Sequence, residues 1–165
     1  MSQVVDKKQA ATLAHAWQAL GLKVVFTNGV FDILHRGHVD YLESSRSLGD
    51  KLIVGINNDA SVRRLGKGEE RPINHEDARA KIVSSLRCVD AVVLFDQDTP
   101  LELILEIAPD ILVKGGDYDP EERNPTSPKY MVGSAEVFAH GGEVVAIPLT
   151  EGYSTTNLVR KLRKP

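Results

Sequence analysis

Two histidines, His35 and His38, stand three residues apart with Gly37 between them in "GVFDILHRGH", directly after the apolar run "KVVFTNG". Residues at this spacing share one helical face, so the two imidazoles can address a single group. If a helix begins near Gly37, both rings sit at its N-terminus. There the unpaired N–H groups and the macrodipole favour an anion, and Gly37 has no side chain to hold a phosphate away. Phosphate binding is the chemistry this stretch suits. Taken alone, the same residues also suit a histidine cap and a core histidine satisfied by backbone.

Three further stretches carry groups of the same kind. In "DILVKGGDYDPEE", Lys114 leaves the end of an apolar run, Gly115 and Gly116 let backbone approach a ligand, and Asp117 can accept from a ribose hydroxyl or a base amine. A plain glycine turn is the other reading. "EGYSTTNLVRKL" is an N-cap run, Ser154, Thr155 and Thr156, with Arg160 one turn beyond. Its hydroxyls and N–H groups can hold phosphates, or simply cap a helix. Finally, Arg63, Arg64, Lys67, Arg71 and Arg79 gather around "LGKGEERPINHED", offset by Glu69, Glu70, Glu76 and Asp77. That segment reads as a solvated, self-paired surface loop, or as a lid in which Lys67 or Arg71 closes over phosphates.

The elements that must position these groups alternate along the chain. Residues 23–29, 51–58, 90–95, 110–116 and 143–149 are continuous apolar runs of strand length, as expected of strands covered on both faces. Between them, 38–49, 75–89, 99–109 and 130–142 carry apolar residues at helical spacing and close at Gly, Pro or a polar turn. A leading helix over about 7–20 and a closing one from Ser154 complete the pattern. Alternation of this kind predicts an α/β fold, a doubly wound parallel sheet of about five strands with helices on both faces. In such a sheet ligands bind beyond the carboxyl ends of the strands, where strand order reverses, which brings the stretches above to one crevice. Two polar segments, 65–77 and 115–130, are too long for simple turns and read as lids or binding loops.

Bulk composition narrows the field. With 165 residues, 42% of them hydrophobic, the chain suits one domain over 1–165, with its core over about 23–163. A net charge of -3 supplies no basic field for nucleic acid, so an anionic ligand must be held by local cations. The single cysteine, Cys88, forms no intrachain disulfide and reads as a core residue. The first 20 residues lack the apolar core of a signal peptide, and no run approaches a membrane span, so a cytoplasmic protein is expected.

"NGVFDILHRGHVDYL" resembles the G-x-F-D-x-x-H-x-G-H signature of the nucleotidyltransferase superfamily, and "EGYSTTNLVRKL" resembles its closing signature. With "VGINNDASVRRL", "RPINHEDARAKIVSSLRCVDAVVLFDQDTPLELI" and "LVKGGDY", nearly the whole chain after the leading helix is similar to the heptose 1-phosphate adenylyltransferases of the cytidylyltransferase-like family. These occur free or behind a sugar-kinase domain, and the free form is expected here. The resemblance implies a Rossmann-like sheet and an enzyme that transfers AMP from ATP to D-glycero-β-D-manno-heptose 1-phosphate, releasing pyrophosphate, for lipopolysaccharide core or surface-polysaccharide synthesis. It implies that His35 and His38 face the ATP phosphates, with His38 nearer the α-phosphate, and that Lys114 serves the α-phosphate or the incoming sugar phosphate. Ser154, Thr155, Thr156 and Arg160 would hold the leaving pyrophosphate. Thr27, Asn28, Gly29 and Phe31 would floor the nucleotide pocket, Gly116 and Asp117 would flank it, and Lys67, Arg71 and Arg79 would be weaker substrate contacts. Mg²⁺ is expected on the triphosphate, carried mostly by substrate and water. No His/Cys cluster suggests zinc. The implied partners are ATP and a sugar 1-phosphate, without nucleic acid or membrane, and a homo-oligomer is compatible with this. Two other readings stay open: a cytidylyltransferase acting on glycerol 3-phosphate or a similar phospho-alcohol, and a nucleotide-binding module without turnover.

Overall fold

The computed structural model describes residues 3–66, 68, 70–116 and 118–162. Lys67 and Asp117, both singled out above, lie outside the described residues. The element order is β1 (Gln3–Val5), α1 (Lys7–Ala19), β2 (Val24–Gly29), α2 (Arg36–Arg46), β3 (Lys51–Asn57), α3 (Asp59–Arg64) and α4 (Glu76–Ser84). It continues with β4 (Ala91–Phe95), α5 (Leu101–Ile107), β5 (Ile111–Gly115), α6 (Ser134–Ala139), β6 (Glu143–Ile147) and α7 (Thr155–Leu162).

All strand pairs are parallel, in the order β1-β4-β3-β2-β5-β6. The chain winds outward from β2 through β3 to β4, then returns to add β5 and β6 on the other side of β2. Strand order therefore reverses at β2, and the histidine stretch leaves its carboxyl end. The sheet has six strands rather than about five, because the three-residue β1 pairs with β4 at one margin. A second unexpected element is α3, six residues capped by the Asn58 side chain, which accepts from Ser61 N at 2.8 Å.

Alternation along the strands divides the core in two. Val24, Phe26, Ile53, Val93 and Leu112 face α1, α5 and α6 through Ala10, Ala14, Leu103, Ile104, Ile107 and Val137. Val25, Leu52, Val54, Val92 and Val113 face α2 and α4 through Leu42, Ala80 and Val83. Continuous apolar strands follow from this two-sided burial. Cys88 is half-buried against the second cluster, and burial raises its thiol pKa.

The amino ends of the strands are tied by aspartates. Asp50 accepts from Lys23 N at 2.8 Å, Asp90 from Leu52 N at 2.9 Å and Asp110 from Val24 N at 2.8 Å. Backbone donors that would otherwise be unpaired where the strands begin are thereby satisfied. The carboxyl ends instead open into a cleft.

Candidate active site

A cleft of about 540 Å³ opens at the carboxyl ends of β2, β3 and β5, and among its lining residues are 28–31, His35, Gly37, His38, Tyr41, 149–150 and 153–155. Its position follows from the topology, since β2 has β3 and β5 as neighbours and both crossovers diverge there.

His35 is the N-cap of α2 and His38 its third residue. The rings stack, with centroids 3.8 Å apart and planes at 18°. His38 Nδ1 accepts from the backbone N–H of His35 at 3.4 Å, which leaves the proton of a neutral ring on Nε2. Burial, with a smaller contribution from His35, pulls the pKa of His38 down to about 4, so the ring is neutral at pH 7. Burial also lowers the pKa of His35, and its Nδ1 is shielded from solvent without a hydrogen-bond partner. A neutral donor and an unpartnered ring nitrogen thus lie at a helix N-terminus on a bare glycine. A Cβ on Gly37 would stand 3.0 Å from Tyr153 Cβ and 3.2 Å from His35 Nδ1, so a side chain there would press on both of these neighbours.

Lys114 reaches in from the end of β5, donates to Asn28 Oδ1 and lies 5.8 Å from the centroid of the Tyr118 ring. Opposite, Ser154 caps α7, its Oγ accepting from Asn157 N at 3.1 Å, and both Ser154 and Thr155 line the cleft. The Tyr153 ring stands 6.4 Å from that of His35 between centroids, with planes at 28°, and the Arg36 guanidinium lies 5.9 Å from the Tyr153 ring centroid. The structure therefore brings together His35, His38, Lys114, Ser154 and Thr155, with Asn28, Gly29 and Phe31 as floor.

Other expected residues go elsewhere. Thr27 is fully buried beneath the floor, its hydroxyl 2.6 Å from that of Tyr41, whose pKa burial has pushed up to about 12. Gly116, at φ +91°, Thr156 and Arg160 are not among the cleft-lining residues, and the last two are exposed. Arg71 and Arg79 depart most from a solvated or lid-like loop. Arg71 makes an ion pair with the buried Asp32, Nε to Oδ2 2.5 Å, though its N–H is not aligned as a hydrogen bond. Arg79 is fully buried on α4, donating to Asp59 Oδ1 at 2.8 Å, to the Val30 carbonyl at 2.7 Å and to the Asn74 carbonyl at 3.0 Å. Neither lines the cleft, because the cost of burying a guanidinium is met by acceptors behind the wall.

Several lining residues escape a reading of the sequence. Tyr118 and Tyr130 converge from the β5–α6 loop and Thr150 and Tyr153 from the β6–α7 loop, while Asn57 ends β3 and Asp98 and Thr99 follow β4. Asn57 and Tyr118 had a local signal in the quoted stretches "VGINNDASVRRL" and "LVKGGDY", and Tyr153 in its place just before the Ser/Thr cap. Among the described residues no group of three or more His, Cys, Asp or Glu is placed to hold a metal ion, and no helix is long and apolar enough to cross a membrane.

The cytidylyltransferase-like family model matches residues 26–161, which takes in every cleft element from β2 to α7. The chain belongs to the cytidylyltransferase-like family. Among curated relatives, the bifunctional protein HldE of Azorhizobium caulinodans is 51% identical over 97% of this chain. The match covers 32% of that protein, so this chain spans about a third of its length. Among solved structures, the lipopolysaccharide core biosynthesis protein of Thermoplasma volcanium is similar with a TM-score of 0.60 and 31% identity, over 81% of this chain and all of that one. The fold, but at 15% identity no more than the fold, is shared with pantoate-beta-alanine ligase of Francisella tularensis, with a TM-score of 0.62 over 100% of this chain and 80% of that one. The matched span runs from the strand before the histidine stretch through the Ser/Thr cap.

Proposed function

We propose that the domain, residues 1–165, transfers AMP from ATP to D-glycero-β-D-manno-heptose 1-phosphate, giving ADP-heptose and pyrophosphate for lipopolysaccharide core or surface-polysaccharide synthesis in the cytoplasm. The convergence of His35, His38, Lys114, Ser154 and Thr155 on one cleft supports nucleotidyl transfer. Likeness to HldE and to a lipopolysaccharide core biosynthesis protein supports the acceptor.

The chemistry asks for position and charge rather than for a protein nucleophile. An oxygen of the sugar phosphate, already ionised at pH 7, attacks the α-phosphorus of ATP, and the bond from that phosphorus to the pyrophosphate bridging oxygen breaks. His38 donates from Nε2 to an α-phosphate oxygen as charge builds there, and it does so as a neutral ring, as its lowered pKa requires. The ammonium of Lys114 neutralises the α-phosphate or the incoming phosphate. Ser154 and Thr155, at the positive end of α7, hold the departing pyrophosphate. ATP enters as its magnesium complex, the ion arriving with the substrate.

The deciding experiment measures pyrophosphate release for each nucleoside triphosphate against a panel of sugar 1-phosphates and glycerol 3-phosphate. ATP with the heptose 1-phosphate is expected to exceed CTP by at least about tenfold in kcat/KM, a difference of roughly 1.4 kcal/mol. Rapid CDP-glycerol formation with no ADP-heptose would replace this function with a cytidylyltransferase acting on a phospho-alcohol. Nucleotide binding with no turnover of any pair would leave a binding module.

A further inference from the structure

Phe31, which lines the cleft, lies between the two ends of a buried polar cluster built around Asp32 and Arg79. Its φ of 49° places it in the left-handed region, which an L-residue adopts only when its surroundings impose it. The ring meets His38 edge-on, with centroids 5.3 Å apart and planes at 62°, and its atoms lie within 3.0–3.4 Å of where a Cβ on Gly29 would stand. What imposes the turn is visible on both flanks. Before it, the Val30 carbonyl accepts from Arg79 Nη1 at 2.7 Å. After it, the fully buried carboxylate of Asp32 accepts from Ile73 N at 2.9 Å and Asn74 N at 2.8 Å, and pairs with Arg71. The Asn74 side chain donates to the Asp32 carbonyl. Arg79 also donates to the Asn74 carbonyl and to Asp59, so both flanks are fastened to one body, residues 71–79 with α3.

We propose that Asp32 and Arg79 are positioning residues of the histidine pair, clamping the chain on either side of Phe31 so that its ring fixes where His38 stands over the phosphates. The proposal rests on the phosphate role of the histidines only for its effect on turnover. The clamp itself has a readout that needs no substrate. With the clamp intact, Phe31 covers His38, and that ring titrates near pH 4 beside the stacked His35. Without it the covering ring is released and His38 meets solvent.

The test follows the imidazole resonances of His38 by NMR across pH 3–8 in the full chain, with Asp32→Asn, Arg71→Gln and Arg79→Lys beside the wild type. In Asp32→Asn and Arg79→Lys the His38 pKa is expected to rise toward the ordinary 6.5, with kcat falling roughly tenfold to a hundredfold and KM for ATP nearly unchanged, the pattern of a misplaced catalytic group. Arg71→Gln, which removes one partner of Asp32 and leaves its two backbone bonds, should show the smaller shift of the same sign. A folded Asp32→Asn or Arg79→Lys protein in which His38 still titrates as in the wild type overturns the clamp. If both fail to fold, an unmoved His38 in Arg71→Gln overturns it. A shifted His38 in a chain whose wild type turns over no nucleotide would keep the clamp and reject the proposed function.

Discussion

The two walls of the cleft are built on opposite terms. One, residues 28–32, is backed by Arg71, Ile73, Asn74 and Arg79, with Asp32 and Arg79 wholly buried and their polar atoms engaged. The other, residues 149–162, ends in a helix with no buried residue, and Leu162 is 81% exposed. The first wall adjoins the imidazoles of His35 and His38, which the proposed function sets against the ATP phosphates. The second presents Ser154 and Thr155, which in the proposed function hold and then release pyrophosphate. A donor that acts on the transition state gains from being fixed in advance, whereas a grip on a leaving group gains from being weak enough to let go. Packing in this molecule follows that division.

The sharpest way to break the contrast is to strip the held wall of its cation. Arg79→Met leaves Asp59 buried with one charged partner fewer, and breaking a buried pair in this way costs about 3–5 kcal/mol. Denaturant unfolding should register that loss, and a loss below about 1 kcal/mol would mean that the wall does not depend on the pair. Removing the presented group and keeping its support separates chemistry from packing. His38→Ala should melt near the wild type yet lose roughly two to three orders of magnitude in kcat, the scale for one transition-state donor. A rate near the wild type would remove His38 from the reaction.

A pH series sharpens the comparison from the folded side. His38, held at about 4, and His35, also lowered, stay neutral in the fold, while the unfolded chain takes up their protons near 6.5. Between these values the unfolded state binds more protons, so stability rises with pH. The contribution is complete above about pH 6.5 and is lost as pH falls toward 4. Stability that is flat across this window would mean that the rings are not shielded.

The loosely packed wall should respond least. Ser154→Ala removes the cap to Asn157 N and should cost about 1 kcal/mol of helix stability, weakening inhibition by added pyrophosphate while leaving the melting of the whole chain almost unmoved. Hydrogen exchange should find the amides of α7 far less protected than those of β2. Equal protection would erase the difference between the walls.

How much of this could be read in advance varies with the range of the interactions. The five longer strands, their helices and the placing of the site at the end of β2 follow from hydrophobic period and turn residues, which are local. The strand β1 and helix α3 are too short to show a period, and only pairing with β4 and the Asn58 cap define them. His35, His38, Lys114 and Ser154 were legible because each sits beside an element end that the sequence marks. Arg79 was not. In the sequence it reads as one of the cations around a surface loop or as a weak substrate contact, and its partners Val30 and Asp59 stand 49 and 20 residues away in sequence. Asp32 was quoted inside a signature without a role, since what it holds, Ile73 and Asn74, is 41 and 42 residues on.

The three residues of β1 matter for more than the count of strands. A sheet margin is a template on which another chain can add a strand, and its hazard grows with the length of unpaired backbone it shows. Here the described strand at one margin covers Gln3–Val5, and at the other β6 is followed at once by Pro148, which has no N–H to offer. With its margins short or interrupted, the protein should stay dispersed at concentrations where a longer, unbroken edge would nucleate fibrils.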